Sequence, residues 1–157
     1  MKILKIDLPE SLSILTTLGK KLYSAKTYQE KLSYWQQALS PNNPYWHYGE
    51  AQGFLLDAPS GQIHVIASCD KRLPGIGFLG FYESDLLEAH DIIQEAESWL
   101  YNRGCKKIVA PFDFTILQSY RFNELAGDAT FMGEPTNPLY YKKQFEDRGF
   151  RYFNHYV

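Results

Sequence analysis

What most restricts the fold of this chain is the order in which its hydrophobic period changes. Lys2 to Ile6 alternates as a short strand, and Pro9 to Tyr23 then carries Leu12, Ile14, Leu15, Leu18 and Leu22 near helical spacing, with Pro9 and Glu10 suited to a first turn. Thr27 and Glu30 have the spacing of a capping box before a second helix, whose stripe is Tyr28, Leu32, Trp35 and Leu39. Pro41-Asn42-Asn43-Pro44 ends that helix. The period then drops to two. Gly53 to Asp57, a Pro59-Ser60-Gly61 turn and Gln62 to Cys69 read as a hairpin with Ile63, Val65 and Ala67 on one face, and Ile76 to Tyr82 adds a third strand. Asp85 to Arg103 returns to helical spacing through Leu86, Ala89, Ile93, Ala96 and Leu100, with Asp85 placed as its cap and Gly104 beyond its end. Lys107 to Pro111 is the short apolar run of a buried strand beside a crossover helix. Residues 112 to 136 are polar and dotted with glycine and give no element.

The last stretch, NPLYYKKQFEDRGFRYFNHYV, spells a helix, a stop and a strand. Asn137 stands at a cap position, Pro138 at a first helical position, and Gly149 as a left-handed stop. Phe150, Tyr152 and Tyr156 then alternate toward Val157. A chain of 157 residues is expected to form one domain, 1–157, with a full core. Apolar residues make up 45% and aromatic residues 16%, which argues against disorder.

The formal net charge is −2, and the basic residues lie in short groups such as Lys20-Lys21 and Lys71-Arg72, so no nucleic-acid partner is expected. Asp7 and Glu10 interrupt the apolar region that a signal peptide would need, and no run approaches the ~18 apolar residues of a membrane span. Cys69 and Cys105 lie in separate strand regions without metal-ligand spacing. They read as buried reduced thiols, as suits a cytoplasmic location.

The element order and the closing helix, Gly-Phe and strand resemble the GNAT (acyl-CoA N-acyltransferase) superfamily over nearly the whole chain. More narrowly, GFLGFYESDLLEAHDIIQEAESWLYNRGCKKIVAPFDF, the YRF of Tyr120 to Phe122 and FMGEPTNPLYYKKQFEDRGF look like a GNAT-like subgroup, often uncharacterised, whose unit can be one half of a tandem pair. The resemblance implies an α/β fold with a central mixed sheet of about six strands flanked by helices, here lacking the family's final strand. It also implies acetyl-CoA or another acyl-CoA as cofactor and an amine as acceptor. The cofactor would lie in the splay between Ile76 to Tyr82 and Lys107 to Pro111, against Phe78, Gly80, Phe81 and Ser84, where strand amides polarise a thioester carbonyl. An aromatic last strand at an open edge implies either that an earlier segment such as Met1 to Ile6 closes the sheet differently or that a second copy or a second GNAT-like domain covers the edge, and association is the favoured expectation.

Two departures weigh on the chemistry. The family's pyrophosphate turn, Q/R-x-x-G-x-G/A, is replaced by Phe81-Tyr82-Glu83-Ser84-Asp85-Leu86, where two carboxylates would repel the anion that a helix N-terminus attracts. Phe145 stands where many members have the tyrosine that protonates the departing thiolate, and a phenyl ring has no proton to give. Tyr140 and Tyr141, about a turn earlier, are the nearest phenols and the candidate acids, with packing as their other reading. Asp113, beyond the carboxyl end of the buried strand, is the candidate acceptor of an amine proton, or else a loop acid. Tyr45, Trp46 and Phe131 supply ring surface for a substrate pocket or for loop packing. Acyl transfer is therefore expected to be altered or lost, the alternative being a non-catalytic binding or assembly module.

Other motifs carry less. Gly75-Ile76-Gly77-Phe78-Leu79-Gly80 matches a dinucleotide fingerprint, but it lies within a strand instead of opening a helix. His47, His64, His90 and His155 have no ligand spacing, so no metal is expected. Ser119, Asp113 and His155 lack the G-x-S-x-G elbow of a hydrolase triad.

Overall fold

A computed structural model describes residues 2–88, 91–115, 118, 121–123 and 135–151. The elements, in chain order, are β1 (Lys2–Ile6), α1 (Leu8–Leu22), α2 (Ala25–Ala38), a 3-10 turn at Pro44–His47, β2 (Gly49–Ala58), β3 (Gly61–Asp70), β4 (Ile76–Ser84), α3 (Ile92–Tyr101), β5 (Lys107–Val109) and α4 (Tyr140–Asp147). The fold is mixed α/β. Its five described strands form one sheet in the order β1-β2-β3-β4-β5, antiparallel throughout except for the parallel pair β4–β5. None of the described helices is long and apolar enough to cross a membrane.

Local chemistry explains most of the element boundaries. Asp7 caps α1 reciprocally: its carboxylate accepts from the Glu10 amide (2.8 Å), and the Glu10 carboxylate accepts from the Asp7 amide (3.0 Å). The second helix starts at Ser24, whose hydroxyl accepts from the Thr27 amide, so the cap lies three residues before the expected one. Gly149, at φ +100°, closes α4 with its amide donating to the Glu146 carbonyl and the Phe150 amide to that of Phe145. Asn137 is not the cap of α4. It is tied to Asn123 instead, accepting from the Asn123 amide at 2.7 Å. The strand expected over Phe150 to Val157 lies outside the described residues from residue 152 onward.

The helix expected over Asp85 to Arg103 is shorter, because Ser84 turns the chain first. The Ser84 hydroxyl accepts from the Leu86 amide and donates to the Leu86 carbonyl, and Asp85 swings back to accept from the Gln62 amide and to pair with Lys21. Asp85 therefore caps no helix. Regular helix begins at Ile92 and buries Ile92, Ile93, Ala96 and Leu100 on the sheet. Each large aliphatic side chain so buried contributes about 1.5–3 kcal/mol.

The sheet has helices on both faces. Leu15 of α1 and Trp35 of α2 pack with Ile66 and Phe81 on one face, while α3 and α4 pack with Ile63, Val65, Ala67, Leu79 and Tyr82 on the other. One irregularity matters for the site. His64 pairs with Glu83 but Ile66 pairs with Gly80, so β3 advances two residues (64 to 66) while β4 advances three (80 to 83). The extra residue is a bulge in which Phe81 takes φ +50°. It turns Phe81 and Glu83 to the α1–α2 face and Tyr82 to the α3–α4 face.

Candidate functional site

The carboxyl half of β4 gathers most of the buried polar chemistry among the described residues. The bulge frees the Phe81 amide from the ladder, and that amide donates to Asp113 Oδ1 at 2.6 Å. Asp113 reaches it because the chain after β5 folds back across β4: the Phe112 amide donates to the Leu79 carbonyl (2.8 Å), and only a glycine fits at residue 80. Any side chain there would collide with the Phe112 carbonyl and the Asp113 carboxylate. The Tyr34 hydroxyl of α2 donates to Asp113 Oδ2 at 2.8 Å. Burial pushes the Asp113 carboxyl up to about 6, against the pull of the Phe81 amide, the Tyr34 hydroxyl and the Lys31 charge.

Two residues on, Glu83 is buried and accepts three hydrogen bonds, from the Tyr23 hydroxyl (2.6 Å), the Tyr141 hydroxyl (2.7 Å) and Lys31 Nζ (3.2 Å). Lys31 is held over the Tyr23 ring, 4.5 Å from its centre. Burial, then the charge of Glu83, drives the Tyr23 and Tyr141 phenols far above their ordinary range, so both stay protonated. Tyr141 also accepts from the Ser84 amide at 2.7 Å. Beside it the Tyr140 hydroxyl donates to the Ser84 carbonyl at 2.6 Å and is pushed up to about 12, chiefly by burial. On β3, His64 donates from Nδ1 to the Phe81 carbonyl at 2.8 Å, and its Nε2 is buried without a partner among the described residues. Burial lowers it to about 4, so at neutral pH it is an uncharged imidazole.

The structure thus brings Asp113, Tyr140 and Tyr141 to one stretch of β4, together with Gly80, Phe81 and Ser84. Phe78 lies further back along the strand, its ring stacked on Phe112 with centroids 4.4 Å apart. Tyr45 and Trp46 are joined to the site through Phe114: Tyr45 stacks on Phe114 (4.5 Å), Trp46 meets its edge (5.1 Å), and Phe114 packs on Phe81 (4.7 Å). Trp46 also lines a groove of about 580 Å3 between the start of α1 and the end of α2, with Leu8, Leu12, Leu39 and Pro41. Phe131 lies outside the described residues, as do Ser119, His90 and His155. No three His, Cys, Asp or Glu side chains converge as metal ligands among the described residues.

Glu83, expected to repel a pyrophosphate, is instead a centre of the site, because the bulge turns its side chain inward onto Lys31, Tyr23 and Tyr141. Sequence reasoning also misses Tyr23, Lys31, Tyr34 and His64. The available signal was the polar residues Lys31 and Tyr34 interrupting the apolar side of α2, and His64 alternating with Ile63 and Val65 to the opposite face of β3.

No family model, curated protein or solved structure matches this chain. What the site can do must therefore be argued from its own groups. It holds one carboxyl poised near neutral pH, phenols that keep their protons, and two strand amides, Phe81 and Ser84, that are already engaged by side chains of the same chain.

Proposed function

We propose that the chain is a GNAT-like domain in which acyl transfer from acetyl-CoA or another acyl-CoA to an amine is weak or lost, and which serves as a binding or assembly module. The observation that carries this reading is the hydrogen bond from the Phe81 amide to Asp113. An amide that polarises a thioester carbonyl must be free to receive it. Here the bulge amide is held by a carboxylate, the Ser84 amide by a phenol, and the space over Gly80 by the Phe112 carbonyl.

Two further features support the same reading. Phe145, at the position of the family's usual acid, packs edge-on to Tyr82 (4.8 Å) and Phe150 (5.3 Å) and carries no ionisable proton. The phenols that could replace it donate elsewhere: Tyr141 to Glu83 and Tyr140 to the Ser84 carbonyl. The partner in this reading is a second copy of the chain or a second GNAT-like domain.

Titrating the protein with acetyl-CoA while following its melting temperature tests the proposal, since a ligand of the native state raises Tm by mass action. No saturable rise is expected, and no thiol release with amine acceptors. A saturable rise accompanied by thiol release that Asp113→Asn abolishes would overturn it.

A further inference from the structure

At the opposite end of β4 from the Phe81 bulge, three connections are joined into one surface: residues 47–50 leading into β2, residues 70–75 around the β3–β4 turn, and residues 101–107 from the end of α3 to the start of β5. The Lys71 amide donates to the Tyr48 carbonyl (2.9 Å) and the Lys106 amide to the Gly75 carbonyl (2.8 Å). Arg103 Nε donates to Glu50 Oε1 at 3.0 Å. These segments carry five exposed cationic residues, Lys71, Arg72, Arg103, Lys106 and Lys107, against two carboxylates, Glu50 and Asp70. Five less two leaves a formal charge of +3 here, in a chain whose net charge is −2.

Apolar surface is concentrated at the same end. Of the five exposed large hydrophobic side chains among the described residues, three belong to these segments: Tyr48, Leu73 and Tyr101, at 45%, 44% and 54% exposure. Leu73 stands in the β3–β4 turn between Arg72 and Pro74. Asp70 holds the Arg72 guanidinium at 2.6 Å, and that guanidinium lies 4.2 Å from the centre of the Tyr48 ring. The turn therefore presents an aliphatic residue flanked by cations.

We infer that this end of the sheet docks on anionic lipid bilayers, with Leu73 entering the acyl boundary and the lysines at the level of the headgroups. The attachment is peripheral and uses no group of the Phe81 site. Each cation near an anionic leaflet strengthens binding by roughly fivefold, salt screens that gain, and tyrosines suit the boundary between acyl chains and water. Two other anionic partners fit less well. Base stacking needs an open ring face, whereas one face of Tyr48 is covered by Arg72, and Leu73 offers no plane to stack on. An acidic peptide is held in a groove or along a strand edge, whereas these residues stand on turns and at a helix end.

The experiment co-sediments the full chain with vesicles of phosphatidylcholine alone and of equal parts phosphatidylcholine and phosphatidylserine, over a series of salt concentrations. Partition onto the anionic vesicles only is expected, falling as salt rises. Lys71→Gln combined with Lys106→Gln should weaken it by roughly twentyfold. Leu73→Ser should weaken it at unchanged charge, with the melting temperature of each variant held at that of the native sequence. Equal partition onto both vesicles, or none onto the anionic ones, overturns the inference. So does a Leu73→Ser variant that binds as the native sequence does. Tighter capture by polyglutamate or by a single-stranded oligonucleotide through the same lysines overturns it as well, giving the surface to an acidic protein or to nucleic acid.

Discussion

Asp113 and His64 sit on either side of Phe81, one on its amide and one on its carbonyl, and burial has shifted them in ways that oppose each other. The Asp113 carboxyl rises from 3.8 to about 6, so the folded state holds the proton more tightly. Its stabilisation is complete below pH 3.8 and is lost as pH rises through 6. His64 falls from 6.5 to about 4, so its stabilisation is complete above pH 6.5 and is lost as pH falls toward 4. Each amounts to about 3 kcal/mol over its window, and the windows overlap. Urea unfolding between pH 4 and 6.5 should therefore show a shallow slope for the native sequence. Asp113→Asn keeps an acceptor for the Phe81 amide and removes one titration, so its stability should fall steeply on acidification, by about 3 kcal/mol across the range. An unchanged slope would mean that His64 is not the buried neutral group described. A second prediction concerns Gly80. Gly80→Ala should cost about 2–4 kcal/mol in urea unfolding, because the new methyl meets the Phe112 backbone, which cannot yield as a side-chain tip would. The sequence disclosed Asp113 as a candidate but not its partners, since the residues that surround it come from α2 and β4, at positions 31 to 34 and 81 to 83.

Among the elements, α4 is fastened to β4 by polar bonds as well as by its apolar side. Tyr141 bridges Glu83 and the Ser84 amide, Gln144 accepts from the Tyr82 hydroxyl (2.8 Å) and donates to the Leu86 carbonyl (2.7 Å), and Tyr140 reaches the Ser84 carbonyl. Tyr141→Phe leaves a buried amide and a buried carboxylate each short of a partner and should cost about 2–3 kcal/mol. Tyr140→Phe, at a half-buried site, should cost about 1 kcal/mol, and equal losses in equilibrium unfolding would contradict this ranking. Elements defined by period were legible: β1 keeps its expected bounds, and β2, β3 and β4 extend theirs by a few residues, because alternation is a local signal. The start of α3 was not legible. Leu86 fits the helical stripe, but the Ser84 hydroxyl satisfies the Leu86 backbone in a turn, and that competition leaves no trace in the spacing of apolar residues.

For the molecule as a whole, sheet order equals chain order, so β3 is the one strand of the hairpin run β2–β4 with long antiparallel partners on both sides, while β5 pairs over three residues. Hydrogen exchange should be slowest in the central amides of β3, such as Val65 to Ala67, and faster in β1 and β5. Stronger protection of β5 than of β3 would show that the crossover through α3, not the antiparallel ladder, is the last part to open. The layered arrangement was legible from the succession of periods. The filling of the space beside the carboxyl half of β4 was not, because it depends on residues 110 to 113 turning back over Gly80.

The bulge at Phe81 makes β4 a message in a code of period two that carries one letter more than its neighbour can read. Everything downstream is written in the shifted frame: Glu83 toward Lys31, Tyr82 toward Gln144. Deleting Phe81 would set Tyr82 opposite Val65 and leave Glu83 opposite His64, so both keep their destinations, while the α1–α2 face loses a ring and Asp113 loses the amide that the bulge offers it. A single-residue deletion here should therefore be absorbed by the ladder as one in a surface turn is, with its cost falling on the α1–α2 layer and on Asp113 and not on the layer around Tyr82.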